Sequence, residues 1–166
     1  MALVFNNHGF ITPSGSLISN NEELRSEFVD DDKFLNSTTR QEIFSLFQDY
    51  IKDFESEISD TFSILINGSF VTKKENPNDI DFVVFLDAPL FDLYVDLIEE
   101  KFDRDGAFKQ YSEKIHAFVV REVQDIKEEG NFEYRVARAY WLGHFEKTKR
   151  RVRNVKQKKG FLEILF

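Results

Sequence analysis

The fold is decided by residues 64–86, which read ILINGSFVTKKENPNDIDFVVFL. An apolar run ends abruptly at residues 67–69 (Asn-Gly-Ser), and a polar loop containing Pro77 follows it. Residues 79–81 (Asp-Ile-Asp) then open a second apolar run. Short apolar runs bounded by Gly, Asn and Pro are typical of strands rather than of a helix. The stretch therefore predicts a strand, a turn, a loop and a second strand.

Two carboxylates lie at the start of the second predicted strand. Successive side chains on a strand alternate faces, so Asp79 and Asp81 are expected on one side, about 7 Å apart along the chain. Two carboxylates on one face repel each other unless a cation lies between them. A hard divalent ion with oxygen ligands removes that repulsion. The pair therefore predicts a site for Mg²⁺ or Mn²⁺.

The turn before the loop supplies groups of a complementary kind. Gly68 allows a sharp turn and close approach of the backbone to a ligand, with free N–H groups that can face phosphate oxygens. The Ser69 hydroxyl adds one more donor. A phosphate clamp beside a carboxylate pair suits metal-assisted phosphoryl or nucleotidyl transfer. The alternative is an ordinary Asn-Gly-Ser turn followed by a solvent-facing strand.

The motif Gly68-Ser69 followed by Asp79-x-Asp81 resembles the Gly-Ser…Asp-x-Asp signature of the nucleotidyltransferase fold, which includes the polymerase β-like and minimal nucleotidyltransferases. The resemblance implies transfer of a nucleoside monophosphate from an NTP to an RNA, a protein or a small molecule. It also implies a bacterial toxin–antitoxin or phage-defence setting. The whole chain is similar to a small family of uncharacterised bacterial nucleotidyltransferase-like proteins through four segments: His8-Gly9, residues 67–81, Tyr140-Trp141-Leu142 with Phe145, and Lys159-Gly160-Phe161.

Active members of the resembled fold carry a third acid on a later strand, and here the matching position is His116. Glu122 shares the face of His116 but lies far along the strand, and Glu113 precedes the strand. His116 could act as a general base or as a metal ligand. It could equally be the remnant of a lost site, which would make the chain a catalytically impaired regulatory or partner-binding module.

The remaining cations and histidines near these motifs are less specific. Lys73, with Lys74 beside it in the loop, could contact the triphosphate of a nucleotide or could be solvated. His8 and His144 have no ligand partner by spacing, and we predict that they are structural.

Length and composition favour one packed domain. The chain has 166 residues, 42% of them hydrophobic, with 19 phenylalanines and no cysteine. This is enough for a single core and excludes disulfides. The N-terminus does not resemble a signal peptide, and no apolar run is long enough to span a membrane. The composition therefore predicts a cytoplasmic protein.

Charge is distributed unevenly along the chain. The net charge is −8, yet residues 147–159 contain eight lysines and arginines and no acid. This basic loop could attract RNA, dock a protein partner, or balance the acidic charge of its own domain. It contains no aromatic residue on which a base could stack.

The periodicity of the chain predicts an α+β fold, with helices packed on a nucleotidyltransferase-like mixed sheet in a single domain, residues 1–166. Residues 1–19 are expected to form an extended N-terminal arm or an edge hairpin that covers part of the domain. A capping box at Thr39 starts a helix that reaches Ile58. Further helices are predicted at 90–102, closed by a loop at 103–106, and at 134–145. Further strands are predicted at 115–123 and 161–166.

Overall fold

The structure is a computed structural model, which describes residues 3–123, 131–152 and 155–166. These residues form both strands and helices. A 3₁₀ turn (Asp32–Phe34) follows the first helix, and a π turn (Ile98–Phe102) follows the third. The elements in chain order are β1 (Val4–Phe5), β2 (Ile11–Thr12), β3 (Gly15–Ser19), α1 (Asn21–Phe28), α2 (Arg40–Glu57), β4 (Ser63–Asn67), β5 (Ile80–Asp87), α3 (Ala88–Leu97), α4 (Arg104–Gln110), β6 (Ile115–Glu122), α5 (Asn131–Phe145), β7 (Lys147–Val152), β8 (Val155–Lys158) and β9 (Gly160–Leu165).

A five-stranded mixed sheet organises these elements in the order β3-β9-β4-β5-β6. β9 runs antiparallel to β4 and parallel to β3, so a late strand lies between two early ones. β4 and β5 are antiparallel, while β5 and β6 are parallel. The predicted α+β class with a mixed sheet is therefore confirmed.

Both faces of the sheet are covered, which explains why its central strands are apolar throughout. Ile64 and Ile66 of β4 join the larger core with α2, whereas Leu65 faces the smaller core beneath α5. β5 alternates in the same way: Phe82 and Val84 face the larger core, whereas Val83 and Phe85 face the smaller one. Period-2 alternation between two apolar layers therefore gives β4 and β5 their continuous hydrophobic runs.

The longest helix, α2, presents apolar side chains at helical spacing to the larger core. They are Ile43, Phe44, Phe47, Tyr50, Ile51 and Phe54, and all are buried. Tyr50 and Phe47 meet Phe82 edge to face, with ring centres 4.9 and 5.1 Å apart. Burying side chains of this size contributes about 1.5–3 kcal/mol each. The aromatic stripe of this helix is core, as the sequence predicts.

The start of α2 differs from the predicted capping box. The Thr39 side chain makes no cap hydrogen bond to the helix, and its hydroxyl donates to the carbonyl of Pro77 at 2.8 Å. The Ser37 hydroxyl instead accepts from the backbone N–H groups of Thr39 and Arg40. The prediction of a Thr39 cap is wrong because that side chain ties the helix to the loop before Asp79.

Two other segments also depart from the predicted elements, and the N-terminal arm consists of three short strands, β1 to β3. Residues 103–106 do not form a closing loop but begin α4. The basic loop, as far as it is described, consists of the antiparallel strands β7 and β8. The N-terminal arm contributes β3 to the edge of the main sheet. Residues 1–2 of the arm and 153–154 of the basic segment lie outside the described residues.

No helix in the described part of the chain is long and apolar enough to cross a membrane.

Candidate functional site

The turn after β4 is shaped by the carboxylate that it faces. Gly68 has φ +80°, and a Cβ atom built on it would lie 2.1 Å from Oδ2 of Asp81. A side chain at this position would therefore meet both backbone strain and a direct clash. Glycine is required here because the turn approaches the carboxylate of Asp81 so closely. The predicted contact of this turn with a phosphate stays a prediction.

Asp79, Asp81 and His116 converge beside this turn. The parallel register of β5 and β6 places Asp81 directly opposite His116. The Nδ1 atom of His116 lies 3.4 Å from Oδ2 of Asp79 and 3.3 Å from Oδ1 of Asp81. Each of the three residues offers a ligand atom, and these atoms lie within 4.8 Å of one another. The structure thus brings together the three residues that were predicted to carry the chemistry.

This donor set fits a divalent metal ion. Two carboxylate oxygens suit Mg²⁺ and Mn²⁺, and an imidazole nitrogen adds affinity for transition metals such as Mn²⁺ or Zn²⁺. The three side chains are 21–39% exposed, so an ion can reach them from solvent. Glu122 lies opposite Asp87 at the other end of the same two strands, which removes it from this site. We therefore treat Asp79, Asp81 and His116 as the candidate metal centre.

A cleft of about 1010 Å³ opens over the metal centre, and we call it the basic cleft. Gly68 and Ser69 line it together with Asp79 and Asp81. Its remaining wall is rich in cations, which come from the loop and from the basic segment: Lys74, Lys147, Lys156 and Lys159. Three of these four lysines belong to residues 147–159. The basic segment is therefore part of the site.

The loop between the turn and the carboxylates presents Lys74 to this cleft. Lys74 is one of the lining residues, whereas the ammonium of Lys73 lies 5.6 Å from the centre of the Phe5 ring. The backbone N–H of Lys73 donates to the carbonyl of Gly9 at 2.9 Å. Contact between Lys73 and a nucleotide stays a prediction. Of the two lysines, Lys74 is the one that lines the cleft.

Arg40 holds this loop from inside the protein. The side chain is buried, and its guanidinium lies 3.8 Å from the centre of the Phe34 ring. Burial lowers the pKa of Arg40 to about 10, so it remains protonated at neutral pH. Its two terminal nitrogens donate to four backbone carbonyls at 2.6–3.0 Å, those of Phe28, Phe70, Thr72 and Lys74. Arg40 therefore fixes the path of the chain from the turn to Lys74.

Lys159 links the basic segment to the turn. It is buried, and its ammonium donates a hydrogen bond to Oδ1 of Asn67, the residue before Gly68. Its backbone N–H donates to the carbonyl of Glu146 at 2.8 Å. The cation thus joins the end of β4 to the strands that carry the other lysines.

A second cavity of about 590 Å³ adjoins the metal centre, and we call it the aromatic cavity. It shares Asn67, Asp81, Tyr140 and His144 with the basic cleft. Further aromatic side chains in its wall come from β5, α4, β6 and α5: Phe82, Phe108, Phe118, Trp141 and Phe145.

The sequence reading missed the contribution of α5 and of both outlying histidines. His8 and His144 were predicted to be structural, yet each lines the basic cleft. Tyr140 and His144 stack with their ring centres 5.7 Å apart. Their spacing of four residues on a helix was the available signal, since it places two rings on one face. No local pattern shows that this face meets the metal centre.

Comparisons with known proteins assign a family but no activity. The model of a family described as a family of unknown function, DUF6932, matches residues 3–165, so the chain belongs to that family. A shikimate kinase from Clostridium beijerinckii is 31% identical over 121 residues, which cover 63% of this chain and 70% of that protein. No solved structure matches the chain.

Proposed function

We propose that this member of the DUF6932 family is a metal-dependent nucleotidyltransferase, which moves a nucleoside monophosphate from an NTP to an RNA, protein or small-molecule acceptor. The observation that carries the proposal is the convergence of Asp79, Asp81 and His116 beside the Gly68 turn. Two carboxylates beside a glycine turn, at the ends of neighbouring strands, suit attack on a phosphorus atom.

The basic cleft supports an NTP as the substrate. A triphosphate is a polyanion, and Lys74, Lys147 and Lys156 line the same cleft as the turn. Backbone N–H groups at a glycine turn can donate to phosphate oxygens. The lysines and the turn would therefore hold the β- and γ-phosphates, with the α-phosphate next to Asp79 and Asp81.

The metal centre supports the chemical step. A divalent ion held by Asp79, Asp81 and His116 would offset the negative charge that develops on the phosphoryl oxygens. Acting as a base is an alternative to binding the ion. With a proton on Nδ1 donated to the carboxylates, His116 would have Nε2 free to accept the proton of an attacking hydroxyl.

A neighbouring reaction class must be separated from this one. The similar protein from Clostridium beijerinckii is named a shikimate kinase, and a kinase transfers the γ-phosphoryl group rather than the nucleotidyl group. This chain contains no Gly-x-x-x-x-Gly-Lys-Ser/Thr sequence, the P-loop that cradles phosphates in many kinases. The carboxylate pair could serve either reaction, so the test must identify which phosphorus is attacked.

The alternative is a catalytically impaired regulatory or partner-binding module. The observation in its favour is His116, which stands where the resembled fold has a third acid. Such a module would bind nucleotide or a partner through the lysines of the basic segment without transferring a group. The cytoplasmic, toxin–antitoxin and phage-defence assignments stay predictions.

The decisive experiment uses one nucleotide with two labels. The full chain is incubated with Mn²⁺ or Mg²⁺, with [α-³²P]ATP or [γ-³²P]ATP, and with total RNA, cell protein or a metabolite extract as acceptor. Acceptor-bound α-label that disappears in Asp79→Asn and Asp81→Asn supports the proposal. Transfer of the γ-label alone identifies a phosphotransferase, and nucleotide binding without transfer identifies the module.

The matched control is Asp87→Asn. Asp87 lies on the same strand as Asp81 but pairs in register with Glu122, away from the metal centre. Its substitution removes one carboxylate from β5 without touching the site, so transfer should be unchanged. Equal loss of transfer in Asp87→Asn and Asp81→Asn would contradict a specific role for the metal-centre carboxylates.

A further inference from the structure

The aromatic cavity borders the metal centre on the side of β6 and α5. Asp81 and His116 line it, so a bound group would lie against two of the three candidate metal ligands. Its volume of about 590 Å³ falls within the range of small-molecule sites, about 300–1000 Å³. The cavity is therefore large enough for a substrate of small-molecule size.

Its chemistry differs from that of the basic cleft. Besides Asp81 and two histidines, the charged residues among the described lining are Arg104 and Asp105, which have opposite signs. The guanidinium of Arg104 lies 5.2 Å from the centre of the Phe118 ring. With no lysine in the described lining, this cavity is a poor site for a polyphosphate, and its rings favour a planar apolar group.

The rings are accessible as well as clustered. Phe108 is 49% exposed and Tyr140 is 59% exposed, which is unusual for large apolar side chains that meet at one site. Trp141 packs against Phe118 at 4.8 Å and meets Tyr140 edge to face at 5.4 Å. Together these side chains offer ring faces and edges to a planar ligand.

The position of the aromatic cavity relative to the lysines of the basic cleft indicates which substrate the cavity would bind. In-line displacement places the attacking and leaving oxygens on opposite sides of the phosphorus. If the leaving pyrophosphate lies in the basic cleft, the attacking group approaches across Asp81 and His116, from the aromatic cavity. We propose that the aromatic cavity binds the acceptor, and that the acceptor is a small molecule carrying a planar aromatic ring. The assignment of this ligand as the acceptor rests on the proposed function, whereas the binding of an aromatic ring does not.

Trp141 provides a direct test because it is the only tryptophan in the chain. Its fluorescence, excited selectively, is titrated with adenosine, uridine and tyramine, and with ribose as the control that lacks an aromatic ring. No metal or nucleotide is present. We expect saturable quenching by at least one ring-bearing probe and none by ribose. Absence of quenching by all three would overturn the inference.

Variants locate the binding. Phe108→Ala and Tyr140→Ala should each weaken the quenching by about tenfold, the usual effect of losing one stacking partner. Both side chains are exposed, so the variants should keep their fold, which circular dichroism checks. Leu93→Ala removes an apolar side chain that is 70% exposed on α3, and it should change nothing. Unchanged affinity in both ring variants would place the probe elsewhere and overturn the inference.

A competition separates the acceptor from the base of the donor nucleotide. The α,β-methylene analogue of ATP is added with Mn²⁺ to protein saturated with the tightest-binding probe. Simultaneous binding supports an acceptor site, and displacement of the probe overturns that assignment. The outcome is distinguishable from failure of the proposed function. A protein that transfers α-label but shows no ring binding overturns only this inference, and ring binding without transfer overturns only the reaction.

Discussion

The two walls of the basic cleft are built in different ways. One wall, which we call the frame, consists of the Gly68 turn, the metal-centre carboxylates Asp79 and Asp81, and the loop held by the buried Arg40. The other wall is the ribbon formed by β7 and β8, where Lys147 and Lys156 are exposed. The buried cation of the frame, Arg40, stabilises a backbone path, whereas the exposed cations of the ribbon supply charge to the cleft. Substitution of Arg40 should therefore affect stability most, and substitution of a ribbon lysine should affect binding.

The largest effect is expected from Arg40→Met, which should reduce the free energy of unfolding by about 3 kcal/mol or more. Four carbonyls would lose their shared donor, and each buried acceptor left without one costs about 1–3 kcal/mol. Urea denaturation measures the change. Arg25→Met is the control, since Arg25 forms an exposed ion pair with Asp30, and such pairs contribute at most about 1 kcal/mol. Similar losses in both variants would contradict the distinct role of Arg40.

Gly68→Ala should have the next largest effect, a loss of about 1–3 kcal/mol in stability together with weakened Mn²⁺ binding. The added Cβ would need the space of Asp81 Oδ2 and a left-handed backbone. Gly15→Ala separates the two causes, because Gly15 has φ +104° but a Cβ atom added there would have nothing within 4 Å. Calorimetric titration with Mn²⁺ should show a defect in Gly68→Ala alone. A defect in both variants would assign it to backbone strain.

At the metal centre beside the frame, His116→Asp should shift the metal preference toward Mg²⁺, on the order of tenfold relative to Mn²⁺. The substitution replaces an imidazole nitrogen by a carboxylate oxygen, the ligand that Mg²⁺ prefers. Competitive titration of the two ions measures the ratio. His144→Asp makes the same change of side chain elsewhere in the cleft and should leave the ratio unaltered. An unchanged ratio in His116→Asp would exclude His116 as a ligand.

The smallest effect is expected in the ribbon. Lys156→Gln should weaken the binding of inorganic tripolyphosphate by about fivefold at low salt, because one charge near a polyanion contributes about 1 kcal/mol. The free energy of unfolding should change by less than about 0.5 kcal/mol. Lys158→Gln is the control, since Lys158 is exposed on the same strand and pairs with Glu146 at 3.4 Å. Equal weakening in both variants would indicate a general charge effect rather than a lining role for Lys156.

The parts of the molecule that the sequence predicts are those set by local patterns. Alternation and turn residues predict β4 and β5, and helical spacing predicts α2, because each signal lies within one element. The Asp79–Asp81 pair follows from its position at the start of β5. That His116 lies opposite Asp81 follows only from the register of two parallel strands. The resemblance suggests this pairing, whereas the sequence pattern alone does not.

The missed parts depend on contacts between distant segments. The basic segment has no alternation of apolar and polar residues, so its sequence does not indicate the strands β7 and β8. Its role in the cleft depends on Lys159, which reaches Asn67 from the other end of the chain. Thr39 matches a capping box but bonds to Pro77 instead, since a tertiary partner replaced the local one.

The placement of β9 between β3 and β4 has a consequence for synthesis on the ribosome. β9 pairs with both β3 and β4, so these two strands cannot join one sheet until residues 160–165 have left the ribosome. Until then the nascent protein exposes an unsatisfied, apolar edge on β4, which is the kind of surface that chaperones protect and that drives aggregation. The site is therefore expected to form only after β9 has been made, by which time the lysines of the ribbon have also been made.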